Sequence, residues 1–237
     1  MREHLPCFFT EQPIDVGAVT LSDDAVHHAR VRRLAEGDRV RLSNGAGRLG
    51  VGEIAKVDRK ELVVRVELTE AAQRPAELHL FVPVADRDRM LWLAEKATEL
   101  GVTSWTGVRF RRSASVSPRG EGEAFQAKVR ARMIGALEQS NAAWLPRVEG
   151  TVDVGELAAP AGRAVVLDWG GDALIEASRE EPAVRSVLVG PEGGIEPAEL
   201  EALRAKGWEL ASLGDNMLRF ETAALAAVAI LRSGAHG

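Results

Sequence analysis

Two short segments hold the residues whose types and spacing could do chemistry. In the first, the apolar pair Leu188-Val189 runs into Gly190-Pro191-Glu192-Gly193-Gly194; in the second, Leu213-Gly214 is followed by Leu218-Arg219-Phe220-Glu221-Thr222-Ala223. Glycine carries no side chain, so the backbone amides and carbonyls of such turns lie open to a ligand. Two turns leaving the ends of neighbouring strands can wall a single crevice. Three glycines among the five residues Gly190 to Gly194 exceed what a helix start requires, although Glu196 and Pro197 are also good helix-start residues. A nucleoside triphosphate loop would normally add a lysine and a Ser or Thr, and neither follows Gly194. The segments therefore suit a small polar cofactor. Arg219, Glu221 and Thr222 open an almost wholly apolar stretch, which places them beside the core and close to the ligand turn. The alternative for Glu221 is to satisfy a helix N-terminus and its dipole, and for Arg219 a surface ion pair.

Positive charge is clustered in two places. Arg30, Arg32 and Arg33 lie on one stretch expected to be helical, in a region otherwise acidic enough to cancel them, and Arg109, Arg111, Arg112 and Arg119 fall between residues 101 and 120 with no acidic residue among them. With Ser113, Ser115 and Ser117, the second run could grip phosphates; a solvated loop is the plainer reading. Trp105 and Phe110 could stack a base, but such residues are more often core. The net charge of -5 argues against a protein that coats nucleic acid indiscriminately, without excluding a local basic face. Cys7 is the only cysteine, which rules out an internal disulfide and a cysteine-based zinc cluster and suits a reducing compartment. His4, His27, His28, His79 and His236 lack metal-ligand spacing, so no metal is expected. The N-terminus has no apolar signal region, and no apolar run nears the roughly 20 residues of a membrane helix. A cytoplasmic protein with no membrane partner is expected.

The elements that must position these residues fall into two groups. Residues 1 to about 70 read as β-rich: 38–42 alternates polar and apolar, Asn44-Gly45 signals a tight turn, and 51–57 and 61–68 follow as strands. A helix is expected over 22–34, with Ser22 as its N-cap. Small β-barrels have this rhythm, and 71–75 reads as a linker. Beyond residue 76 the short apolar strands 78–82, 164–167, 186–189 and 209–213 alternate with helices 87–100, 121–140, 197–206 and 221–231. That alternation predicts an α/β domain with a mostly parallel sheet covered on both faces.

Gly-Pro-Glu-Gly-Gly together with Leu-Gly-x-x-x-Leu-Arg-x-Glu-Thr-Ala resembles the RsmE family of ribosomal RNA methyltransferases, within the SPOUT superfamily. Glu95-Lys96-Ala97-Thr98-Glu99-Leu100-Gly101-Val102, the word Glu138-Gln139-Ser140, and His28 to Leu34 with Gly37-Asp38 resemble further words of that family in its order, so the resemblance spans nearly the whole chain. Three positions depart from its pattern: Phe220 where a polar residue is common, Ala142 where an arginine usually follows, and Gly107 in place of a proline.

The resemblance implies a small N-terminal PUA-like β-barrel that binds RNA, residues 1–72, followed by a C-terminal α/β SPOUT domain, 73–237, tied in a deep trefoil knot. It implies a homodimer that uses S-adenosylmethionine to methylate uridine N3 in the decoding region of 16S ribosomal RNA, within the small ribosomal subunit. Mapped by motif, the cofactor residues are Leu188, Gly190, Gly193, Gly194, Leu213, Gly214, Leu218 and Thr222. The N3 proton must leave before or during attack, which gives Glu221 or Glu192 a role as base and Arg219 a role in stabilising charge on the uracil oxygens. RNA contacts are expected at Arg30, Arg32, Arg33, Arg109, Arg111 and Arg112. Alternatives are another SPOUT RNA methyltransferase, acting on ribose 2′-oxygen or on transfer RNA, and a non-catalytic RNA-binding assembly protein. The position of the methyl group and the binding of cofactor, respectively, separate these from the main reading.

Overall fold

The structure is a computed structural model that describes residues 5–21, 24–113, 120–180 and 183–234. It comprises two compact units: Met1–Pro75 with Ile134–Leu145, and Ala76–Met133 with Pro146–Gly237. Ser22, His4, His236, Ser115, Ser117 and Arg119, named above, lie outside the described residues.

In the first unit, strands β1 (Cys7–Phe9), β2 (Gly17–Leu21), β3 (Arg39–Ser43), β4 (Arg48–Val57) and β5 (Leu62–Ala71) form one sheet in the order β1-β3-β4-β5-β2, with helix α1 (Asp24–Val31) packed against it. The alternation in β5 sends Leu62, Val64 and Val66 inward, where they meet Ala25, Val26 and Ala29 of α1. Asn44 closes the β3-β4 turn by accepting from the Ala46 and Arg48 amides, both at 2.9 Å. The ladder leaves β1 and β2 as edges, so the expected barrel is a half-barrel. β1 was not legible in the sequence, being only three residues that pair in parallel with the distant β3.

Glu138 and His28, which belong to separate family words, meet in this unit. The Glu138 carboxylate accepts from the Phe9 amide at 2.8 Å and contacts His28 Nδ1 at 3.0 Å, while the residue itself is buried. Glu138→Ala would leave the Phe9 N–H without its acceptor and is expected to cost about 1–3 kcal/mol. Urea unfolding of the full chain checks this, with Glu138→Gln recovering most of the loss because its amide oxygen still accepts. Burial pushes the neighbouring Cys7 thiol up to about 12, with the Glu138 charge adding to the effect, so the thiol stays protonated.

The second unit is a six-stranded sheet in the order β11-β9-β10-β6-β7-β8, every pairing parallel. Its strands are β6 (His79–Pro83), β7 (Ser104–Arg109), β8 (Arg147–Asp153), β9 (Arg163–Ala173), β10 (Val184–Val189) and β11 (Trp208–Ser212). The helices are α2 (Arg87–Glu99), α3 (Glu123–Ser140, whose last turns belong to the first unit), α4 (Leu174–Ala177), α5 (Pro197–Ala205) and α6 (Phe220–Gly234). Alternation along β10 sends Leu188 into a cluster with Leu203 of α5, and Val187 and Val189 the other way. α6 packs on β6, β10 and α2. β7 escaped the sequence reading because its buried residues include Ser104 and Thr106, which carry no apolar signal. Gly107 is at home there: a Cβ would stand 3.0 Å from Thr151 Oγ1 on the paired strand.

Candidate cofactor and acceptor site

β10 and β11 flank β9, so the bends that leave their C-terminal ends emerge at one edge of the sheet. The first bend closes on a hydrogen bond from the Gly194 amide to the Pro191 carbonyl at 2.8 Å, with Gly194 at φ 76°. Glu196 then starts α5 through a capping box with Glu199. The second bend passes through Gly214 at φ 114°, a conformation that favours glycine. Between them lies a cavity of about 240 Å³.

Six of the expected cofactor residues, Gly190, Gly193, Gly194, Leu213, Gly214 and Leu218, line this cavity together. Leu188 and Thr222 do not. Leu188 is fully buried in the sheet and its neighbour Val189 reaches the cavity instead, while Thr222 is exposed on α6. The lining also includes residues that sequence reasoning missed, notably Asp168 and Trp169. They get there by a bulge. Val166 pairs with Leu210 and Asp172 with Ala211, so residues 167–171 of β9 have no partners on β11 and swing out at the cavity. Gly171 ends the bulge where β9 closes back on β11: a Cβ there would lie 2.3 Å from the Ala211 nitrogen.

Neither Arg219 nor Glu221 lines the cavity. Arg219 is exposed; its carbonyl accepts from the Ala223 amide at 2.9 Å, and its guanidinium has no ion-pair partner among the described residues. Glu221 is buried, and both its oxygens are held by Arg89 of α2: Nε to Oε1 at 3.0 Å and Nη2 to Oε2 at 2.6 Å. The remaining Arg89 nitrogen, Nη1, pairs with Oε1 of Glu192, which lines the cavity. The guanidinium also sits over the Phe220 ring, 4.7 Å from its centroid, which gives that departure from the family pattern a role. The hydrogen bond to Glu221, reinforced by the other acidic contacts, raises the pKa of Arg89 above its ordinary value. One arginine therefore ties the first bend to the start of α6. Nothing in the local pattern of 87–89 announces this, since both partners lie more than a hundred residues away.

The basic run around Arg109 is less free than its composition suggested. Arg109 is the last residue of β7 and bonds Glu121 at 3.0 Å and Asp153 at 3.2 Å. The Arg111 amide donates to Glu199 at 2.9 Å, and its guanidinium contacts Glu196 at 3.5 Å. Arg112 donates from Nη1 to the Gly193 carbonyl at 2.7 Å, which places a cation on the outer side of the glycine bend. The acids were invisible within 101–120 because they come from other segments. In the first unit, Arg30, Arg32 and Arg33 are all exposed and unpaired among the described residues. Trp105 and Phe110 are buried core. Among the described residues no cluster of His, Cys, Asp and Glu could hold a metal ion, and no helix is long and apolar enough to cross a membrane.

A parallel sheet with a cofactor-sized cavity at the carboxyl ends of its strands, in a chain that also holds a half-barrel unit, defines a two-unit cofactor-site protein, and comparison with known proteins makes the class definite. The chain belongs to the RNA methyltransferase domain family, whose model matches residues 72–232, and an RNA methyltransferase PUA domain model matches residues 21–67. It is similar to the ribosomal RNA small subunit methyltransferase E of Rickettsia conorii, with 29% identity over 89% of this chain and 87% of that one. The protein of the same name from Mycobacterium tuberculosis is 28% identical over 95% of this chain and 92% of its own. A solved structure from Legionella pneumophila, described as a methyltransferase in complex with the bound cofactor SAM, superposes with a TM-score of 0.86, 25% identity and 98% coverage of both chains. The RsmE resemblance read from the sequence words is thus borne out.

Proposed function

We propose that the chain transfers a methyl group from S-adenosylmethionine to N3 of a uridine in 16S ribosomal RNA, and the observation that carries this is the convergence of both glycine bends on one cavity. The residues present fit that cofactor. Gly190 leaves its backbone bare, since a Cβ there would crowd Ile195 at 2.7 Å, and Leu213, Leu218 and Phe220 offer apolar surface. Among the described residues the ionisable groups in the lining, Asp168 and Glu192, are acids, which suits a cationic sulfonium. The relatives' shared name and the SAM-bound Legionella neighbour support the same reading.

When bound, the cofactor supplies an already activated methyl group, so the chain's work is placement and charge. Glu192 has one oxygen tied to Arg89 and the other without a partner among the described residues, and that free oxygen takes the N3 proton. Arg219, exposed and unpaired next to Leu218, stabilises the charge that develops on the uracil oxygens. Glu221 works through Arg89, as a positioning residue. Arg30, Arg32 and Arg33 in the first unit contact RNA phosphates; Arg109, Arg111 and Arg112 share their charge with acids and add less.

The same reading includes a cytoplasmic homodimer acting on the small ribosomal subunit, with the SPOUT domain knotted. Apolar surface supports the dimer: α6 leaves Leu225, Ala226, Ala229 and Ile230 incompletely covered, and Trp92 on the adjoining α2 is 48% exposed.

Transfer of labelled methyl to 30S particles and to naked ribosomal RNA, followed by mass spectrometry of digests, tests the function. Label on uridine N3 in either substrate is expected. Arg219→Ala should bind cofactor normally, and both Arg219→Ala and Glu192→Gln should turn over roughly 100-fold more slowly. Label on ribose oxygens, or in neither substrate, overturns the proposal.

A further inference from the structure

We infer that Asp168 makes the cavity select the cationic methyl donor over the neutral thioether left after transfer, so that the spent cofactor is released by losing its charge. This rests on the methyltransferase reading above. The donor carries a sulfonium, an ammonium and a carboxylate, hence one net positive charge. Once the methyl has moved to the acceptor nitrogen, the sulfur keeps its bonding pair as a lone pair and the product is net neutral. A fixed negative charge in the wall therefore acts on the difference between the two ligands, whereas apolar and backbone contacts are common to both.

Asp168 is the wall acid with no cation beside it. Glu192, the other acid lining the cavity, has the Arg89 guanidinium in contact, shared with Glu221, and among the described residues no Lys, Arg or His lines the cavity. Asp168 has no cationic partner among the described residues; its Oδ1 accepts only from the Gly170 amide, at 3.2 Å. It is half-buried, which weakens solvent screening relative to the open surface. Its placement is built into the backbone. The β9 bulge carries it out of the sheet, and the close approach of Gly171 to Ala211 fixes where that bulge ends.

Calorimetry of the full-length protein with S-adenosylmethionine and with S-adenosylhomocysteine tests this without any turnover. Asp168→Asn preserves the acceptor for Gly170 and removes only the charge. It should weaken donor binding roughly fivefold to tenfold while leaving the product's Kd within about twofold. Asp168→Glu should restore much of the donor preference, and Glu192→Gln should change it less than Asp168→Asn does. Unchanged product affinity serves as the check that the cavity is intact. Equal weakening of both ligands by Asp168→Asn would mark a structural role and overturn the inference, as would no change in either. If the unaltered protein binds neither ligand, it is the methyltransferase reading itself that fails.

Discussion

Arg89→Ala is expected to lower S-adenosylmethionine affinity by at least about 30-fold and stability by about 2–4 kcal/mol. The physical reason is that the substitution strands a charge. Glu221 is 9% exposed and has both oxygens on Arg89, so deleting the guanidinium leaves a buried carboxylate without a counter-charge at the first turn of α6. The same deletion frees Glu192, and with it the first glycine bend, from the helix that follows the second bend. Loss of two anchors should show in cofactor binding beyond the loss of stability. Arg89→Lys should recover little, because an ammonium cannot make the two parallel bonds to Glu221 while also reaching Glu192. A double-mutant cycle with Glu221→Gln separates the contributions: Arg89→Ala should cost much less in that background. Additive costs, or an Arg89→Ala protein that binds cofactor normally, would remove the tie between the two bends.

The second large effect is expected at Gly171. In Gly171→Ala the new methyl would meet the Ala211 nitrogen at 2.3 Å, the Leu210 carbonyl carbon at 2.5 Å and Ala211 Cα at 2.6 Å. All three are backbone atoms, so no rotamer change relieves the clash and β9 must separate from β11 beside the cavity. A loss of about 2–4 kcal/mol is expected, with cofactor affinity reduced more than tenfold. Its neighbour supplies the control. At Gly170 a Cβ would meet only Asp168 Oδ1, at 3.7 Å, so Gly170→Ala should be close to neutral. Thermal melts and calorimetry on the two variants decide the matter; similar behaviour of both would show that β9 is not pinned to β11 there.

The two predictions differ in how far the sequence could have led to them. The glycine bends were readable because their signal is local: a short apolar strand, clustered glycines and a Glu-Pro helix start declare a turn without reference to the rest of the chain. The long helices were readable for the same reason, with ends that shifted by only a few residues. Gly171 was not, because its requirement comes from another strand's backbone passing close by. The five-residue bulge in β9 likewise depends on where β11 resumes its pairing.

Charge shows the same division. The sequence located the arginines, and composition alone set the net charge of -5. Which arginines remain available was decided by folding, which brings Glu121 and Asp153 to Arg109, and Glu196 and Glu199 to the Arg111 segment. Arg89 and Glu221 are 132 residues apart, and His28 and Glu138 come together from opposite ends of another long interval. By itself the sequence determined the α/β class, the bends and the family, because these follow from short-range periodicity, turn chemistry and recurring words. The tertiary structure alone decided which carboxylate faces the ligand and which faces an arginine, since the environment of a charge is set by whatever the fold packs against it.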